Sequence, residues 1–224
     1  MSIITPAEAR QHPAFHNPHT ASDLQTLERS LRDLLAPHLA PRDHLTLLNL
    51  ACGRADETAV LAALLREKAP SAHLQGLDIR AAEIDTARLR WKDLPAGVSS
   101  DFRIQRGETT DTLHSFQDAT DLVFLRHQNY WNDPAVWTRI FDQALHQLRP
   151  GGHLVITSYF DREHALALRA LQKLGATLLR SHRNPKSRLL SARHAKSVDR
   201  HLAIFRKGEA QRAEKTGTFS HSKA

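Results

Sequence analysis

The chain is predicted to be an α/β protein built on a doubly wound, mostly parallel sheet with a C-terminal antiparallel strand pair. Short apolar runs alternate along it with helical patterns, which implies βαβ units. A small-residue turn at Cys52-Gly53 follows the first of those runs. The last two runs have no convincing helix between them, so they are expected to pair antiparallel at one edge.

Each element has its own signal. Thr20-Ala-Ser-Asp offers N-cap candidates ahead of Leu24, Leu27, Leu31, Leu34 and Leu35 at helical spacing, and Pro37 and Pro41 end that helix. Leu45 to Ala51 is short and apolar, as a buried strand requires, and a helix from about Asp56 to Lys68 follows. Leu74 to Ile79 is the second strand. Ala81 to Trp91 is the next helix, with Ile84, Ala87, Leu89 and Trp91 to bury. Phe102 to Gly107 and Asp121 to His127 are the third and fourth strands. Val136 to Leu148 is a helix with Ile140, Phe141, Ala144, Leu145 and Leu148 on one face. After the turn at Pro150-Gly-Gly come the strand His153 to Phe160 and the helix Arg162 to Leu174, with Gly175 as its C-cap. Thr177 to His182 and Leu202 to Phe205 close the series. Three segments result: a helical lead-in or lid over residues 1–44, the α/β domain over 45–207, and a polar tail over 208–224 expected to be disordered.

A length of 224 residues suits one domain with a sizeable core. No run approaches the roughly 18 apolar residues of a membrane helix, and residues 1–15 lack a signal-peptide pattern. Cys52 stands alone, which rules out an intramolecular disulfide and fits a reducing, cytoplasmic setting. His12, His16 and His19 lie close together, but no cysteine or fourth ligand accompanies them in a proline-broken segment. No metal site is expected there.

The formal charge of +7 is unevenly placed: residues 175–207 hold nine Lys or Arg against one acid, Asp199. Such a stretch can be a solvated edge strand guarded against aggregation. It can also face a ligand. If the sixth strand runs parallel to the others, its exit loop begins on the ligand-binding face. Lys186, Arg188, Arg193 and Lys196 would then border a substrate entrance and favour an acceptor with phosphate or carboxylate, RNA included.

In doubly wound sheets ligands lie outside the carboxyl ends of the strands. Asn49-Leu-Ala-Cys-Gly-Arg-Ala-Asp-Glu-Thr is the first loop there, small enough for backbone N–H groups to approach a ligand. Asp78 ends the second strand 25 positions after Gly53, a spacing suited to a nucleoside whose ribose diol donates to a carboxylate. The alternative for Asp78 is a helix-capping acid.

These elements resemble the class I S-adenosylmethionine-dependent methyltransferases, over about residues 45–207. That family's first motif is an acid followed by Gly-x-Gly-x-Gly. Asn49 fills the acidic place here, and Ala51, Gly53 and Ala55 fill the glycine places. Alanine is tolerated there if its φ is negative and strained otherwise. Gly107-Glu-Thr is similar to the family's adenine-bordering Gly-Asp motif, Asp121-Leu-Val-Phe-Leu-Arg-His to its fourth strand, and Leu148-Arg-Pro-Gly-Gly to its turn into the fifth. The resemblance implies a Rossmann-like fold and S-adenosylmethionine as cofactor. Asn49, Ala51, Cys52, Gly53, Asp78, Ile79, Glu108, Thr109 and Arg126 would bind it.

An activated sulfonium methyl needs mainly alignment and desolvation. A base matters only if the acceptor must lose a proton, and His127 is the candidate by position. Asn129 and Tyr130 follow it as candidate substrate contacts, with Trp131 and Trp137 read as core. Cys52 is read as a small loop residue without an activating base. Nothing here matches the Asn/Asp-Pro-Pro-Tyr motif of amino-group nucleic-acid methyltransferases. The leading expectation is methyl transfer to a small, anionic acceptor. An RNA methyltransferase and a non-catalytic protein that kept the fold stay open beside it. A nicotinamide-dependent dehydrogenase would need Gly-x-Gly-x-x-Gly, of which only Gly53 is present.

Overall fold

The computed structural model describes residues 17–107, 119–192 and 195–208. The expectations for Glu108, Thr109, Arg193, His12, His16 and most of the tail lie outside these residues. The elements, in chain order, are α1 (Thr20–Leu35), β1 (His44–Leu50), α2 (Thr58–Arg66), β2 (Ser71–Asp78), α3 (Ala81–Arg90) and β3 (Val98–Ile104), then β4 (Thr120–Leu125), α4 (Pro134–Gln147), β5 (Leu148–Ser158), α5 (Asp161–Lys173), β6 (Thr177–Arg183), β7 (Leu189–Ser191), β8 (Lys196–Ser197) and β9 (His201–Arg206).

The main sheet has the order β3-β2-β1-β4-β5-β9-β6. Neighbours from β3 to β5 pair parallel, while β9 runs antiparallel to both β5 and β6. The expected antiparallel pair is present, and β6 is parallel to β5. β3 begins and ends before its predicted bounds, and β4 stops at Leu125, so Arg126 and His127 belong to the turn beyond it. The short hairpin β7–β8 has no counterpart in the sequence reading.

Strand position explains the apolar pattern. Every residue of β4 is buried, as a central parallel strand covered on both faces demands. On one face Leu24, Leu27, Leu31 and Leu34 of α1 join Leu61 and Leu65 of α2 in a core with Leu122 and Ile204. On the other, Phe141, Ala144 and Leu145 of α4 meet Leu171, Leu154 and Phe205. The lead-in helix is thus part of the same core as the sheet. Gly76 in β2 allows a close contact: a Cβ there would stand 2.4 Å from the Phe102 ring.

At the start of α5, Glu163 reaches back to accept a hydrogen bond from the Tyr159 N–H at 3.2 Å. Burial pushes its carboxyl up from the usual 4.5 to about 7. The folded chain therefore holds a proton that the unfolded chain loses, and stability falls as pH rises from about 4.5 to about 7. Glu163→Gln abolishes that titration. Denaturant unfolding should show the variant gaining on the parent by roughly 2–3 kcal/mol between pH 5 and pH 8. A pH-independent difference would sink this account.

Candidate active site

The carboxyl ends of β1, β2 and β4 open onto a cleft of about 550 Å³, which Ala51, Cys52, Gly53, Asp78, Arg126, His127 and Asn129 help to line. A smaller, more apolar compartment of about 380 Å³ adjoins it, between Ile79, Gly107, Val136, Trp137 and Ile140. Both volumes fall in the usual range for small-molecule sites.

The loop after β1 takes a left-handed conformation at Ala51 (φ 53), Gly53 (φ 56) and Ala55 (φ 53). The alanines therefore sit at positions that favour glycine, at about 1–2 kcal/mol each. What holds them is a set of loop hydrogen bonds. The Cys52 N–H donates to the Leu77 carbonyl at 3.0 Å, and the Ala55 carbonyl accepts from Trp91 Nε1 at 2.9 Å. Buried Arg90 caps the Arg54 carbonyl at 3.3 Å and pairs with Asp56. Ala51→Gly should stabilise the protein by about 1 kcal/mol, read as a rise in Tm, because Ala51 is exposed and relieves only strain. Ala55→Gly should give less, since a fully buried methyl is lost with it.

Asp78 faces this loop. Its Oδ2 accepts the Gly53 N–H at 2.8 Å, and its Oδ1 accepts the backbone N–H and Nε of Arg80, both at 3.0 Å. Burial alone would raise its carboxyl, yet the bonds from Arg80 and Gly53 hold it below the usual range. Asp78 is therefore a carboxylate at the end of β2. Burial pushes the Cys52 thiol well up, with Glu57 and Asp78 adding to the effect, so it is no nucleophile.

Asn49, in the acidic place of the first motif, is bonded to an acid eight residues on. Asn49 Nδ2 donates to Glu57 Oε1 at 2.6 Å, and Glu57 Oε2 lies 3.3 Å from Arg126. The Arg126 guanidinium also meets Asp199 at 2.7 Å. Asp199 is buried, and though burial opposes it, the Arg126 charge and the hydrogen bonds from His127 and Arg126 hold it far below the carboxylate range. Against this cluster stands His127, its backbone left-handed (φ 55) and its ring stacked on Tyr159 at 3.9 Å. Burial pushes the Tyr159 phenol up to about 12, so it is neutral near pH 7.

A family model described as a methyltransferase domain matches residues 41–209. The chain belongs to the class I S-adenosylmethionine-dependent methyltransferases. No curated protein matches its sequence. Solved structures share the fold at low identity. A protein from Pyrococcus horikoshii OT3 is 14% identical at a TM-score of 0.62, over 88% of this chain and 95% of that one. Geranyl diphosphate C-methyltransferase from Streptomyces coelicolor A3(2), solved with Mg2+, geranyl diphosphate and S-adenosyl-L-homocysteine, is 15% identical at a TM-score of 0.58, over 88% and 86%. The [4+2]-cyclase SpnF is 16% identical at a TM-score of 0.58, over 82% of each chain.

The methyltransferase's cleft fits its family's cofactor. A carboxylate ends β2, a glycine whose Cβ would press Arg80 at 3.0 Å lies before it, and the exposed Ile79 side chain borders the apolar compartment beyond. The structure thus brings together Ala51, Cys52, Gly53, Asp78, Ile79, Arg126, His127 and Asn129. It sets others apart. Tyr130 packs its ring on Phe141 at 5.6 Å, Lys186 is exposed, and Arg188 is paired with Asp23 of α1 at 2.6 Å. Trp137, read as core, borders both compartments, and Trp131 is exposed beside Phe160. Glu57, Tyr159 and Asp199 were not expected from sequence. Only Asp199 carried a signal, as the lone acid in the basic stretch.

Proposed function

We propose that this enzyme transfers the methyl of S-adenosylmethionine in line to a small, anionic acceptor seated beside His127. Asp78 would take the ribose diol and Ile79 the purine face, with the loop from Ala51 to Gly53 against the rest of the cofactor. The bound cofactor supplies the activated methyl. The chain's residues align it, exclude water and hold the acceptor.

The observation that carries the acceptor reading is Lys196. Its Nζ stands 4.4 Å from the centroid of the Tyr159 ring, the ring that His127 stacks against, and its charge acts on the buried Glu163 carboxyl without a salt bridge among the described residues. Arg188, by contrast, is neutralised by Asp23. An acceptor phosphate or carboxylate would therefore find its cation at Lys196.

The test is methyl transfer from labelled S-adenosylmethionine to a panel of small anionic acceptors and to RNA, across a salt series. Transfer to a small acceptor should change modestly with salt, and Lys196→Ala should raise its KM about 10-fold with cofactor affinity unchanged. A steep fall with salt and preference for RNA would favour the RNA methyltransferase reading instead.

A further inference from the structure

Resting on the methyl-transfer reading, we propose that Asp199 is a positioning residue that makes His127 a one-sided base, and that the acceptor atom is a hydroxyl oxygen. His127 Nε2 lies 2.9 Å from Asp199 Oδ1. The same carboxylate oxygen accepts from Thr157 Oγ1 at 2.9 Å, and Thr157 Oγ1 in turn accepts the His127 N–H at 2.9 Å. Ring and backbone of His127 are thus fixed by one buried carboxylate and one fully buried hydroxyl. The Tyr159 stack sets the ring plane.

The Asp199 N–H also points at Nε2, at 3.3 Å. A neutral ring cannot both accept there and donate to Oδ1. The carboxylate contact is shorter and charge-assisted, so it decides the tautomer: Nε2 carries the hydrogen and Nδ1 is bare. His127 lines the cleft, and Nδ1 has no partner among the described residues. A bare ring nitrogen on a residue that lines the cleft, backed by an anion, accepts protons.

A thiolate or carboxylate acceptor would not need this, whereas a hydroxyl does. The acceptor oxygen bonds the methyl carbon while its O–H proton passes to Nδ1, and the electron pair of the broken C–S bond stays on the donor's sulfur. The products are a methyl ether, a neutral thioether and an imidazolium held against Asp199. That imidazolium returns its proton to solvent.

Ring-15N-labelled full-length protein, without cofactor, tests the arrangement at pH 8, with the His127 signals assigned by their loss in His127→Gln. The expected spectrum shows Nε2 protonated and Nδ1 bare, with the tautomers reversed or mixed in Asp199→Asn. A protonated Nδ1 in the parent protein overturns the proposal, whether or not the variant folds. Thr157→Val, which leaves every charge in place, should also loosen the tautomer preference. With hydroxyl acceptors, Asp199→Asn should lower kcat about 100-fold or more with KM within a few fold. Faster transfer to amines than to matched hydroxyls would refute the acceptor assignment. Failure of the parent protein to bind S-adenosylmethionine would sink the methyl-transfer reading instead, leaving the tautomer result standing.

Discussion

Asp78→Ala is expected to weaken S-adenosylmethionine binding by 100-fold or more in titration calorimetry, with S-adenosylhomocysteine affected to the same degree. A carboxylate receiving a ribose diol makes two charge-assisted hydrogen bonds, each worth about 1.5–3 kcal/mol. Part of that gain is offset, because Arg80 already donates to Asp78 at 3.0 Å in the free protein. Removing the competitor should therefore act in the opposite direction, and Arg80→Ala should bind a few fold more tightly than the parent. If Asp78→Ala bound normally, the ribose would have to lie elsewhere and the proposed cofactor pose would be wrong.

Arg126→Met should cost about 3–5 kcal/mol of unfolding free energy, the largest loss expected of any single change near the cleft. The reason is the charge left behind. Arg126 stands between Glu57 at 3.3 Å and Asp199 at 2.7 Å, with carboxylate side chains only 4% and 2% exposed. Without it two anions face each other in a medium that solvates them poorly. Adding Glu57→Gln should recover part of the loss, which denaturant unfolding of the single and double variants would measure. An Arg126→Met protein as stable as its parent would mean that water reaches the cluster and the charges are not buried together.

Much of the fold was legible in the sequence because the signals were local. The leucines at Leu24, Leu27, Leu31 and Leu34 mark one helix face whatever lies opposite, and the apolar run of β4 is short enough to read as a strand. The position of Asp78 followed from a strand end and a spacing. The charge cluster was not legible in that way. Asn49 looks like the loss of a necessary acid until Glu57, eight residues on, is seen at 2.6 Å from its amide. Arg126 and Asp199 are 73 residues apart, and only the placement of β9 brings them together. The alanines at positions 51 and 55 left the conformation of the loop open, tolerated at negative φ and strained otherwise. Both are left-handed, because the hydrogen bond from Trp91 and the one that Cys52 donates to the Leu77 carbonyl outweigh the local preference.

The location of β9 between β5 and β6 also bears on how the chain is made. A ribosome delivers β5 and β6 first, and β9 begins at His201, roughly forty residues after β5 ends at Ser158. At about 5–20 residues per second that is a delay of several seconds. During it β6 lacks its native strand partner, and Arg126 lacks its second anion. The nascent chain can assemble the half-sheet β3-β2-β1-β4 early. The reacting end of the cleft closes only when the last strand threads home and brings Asp199 with it.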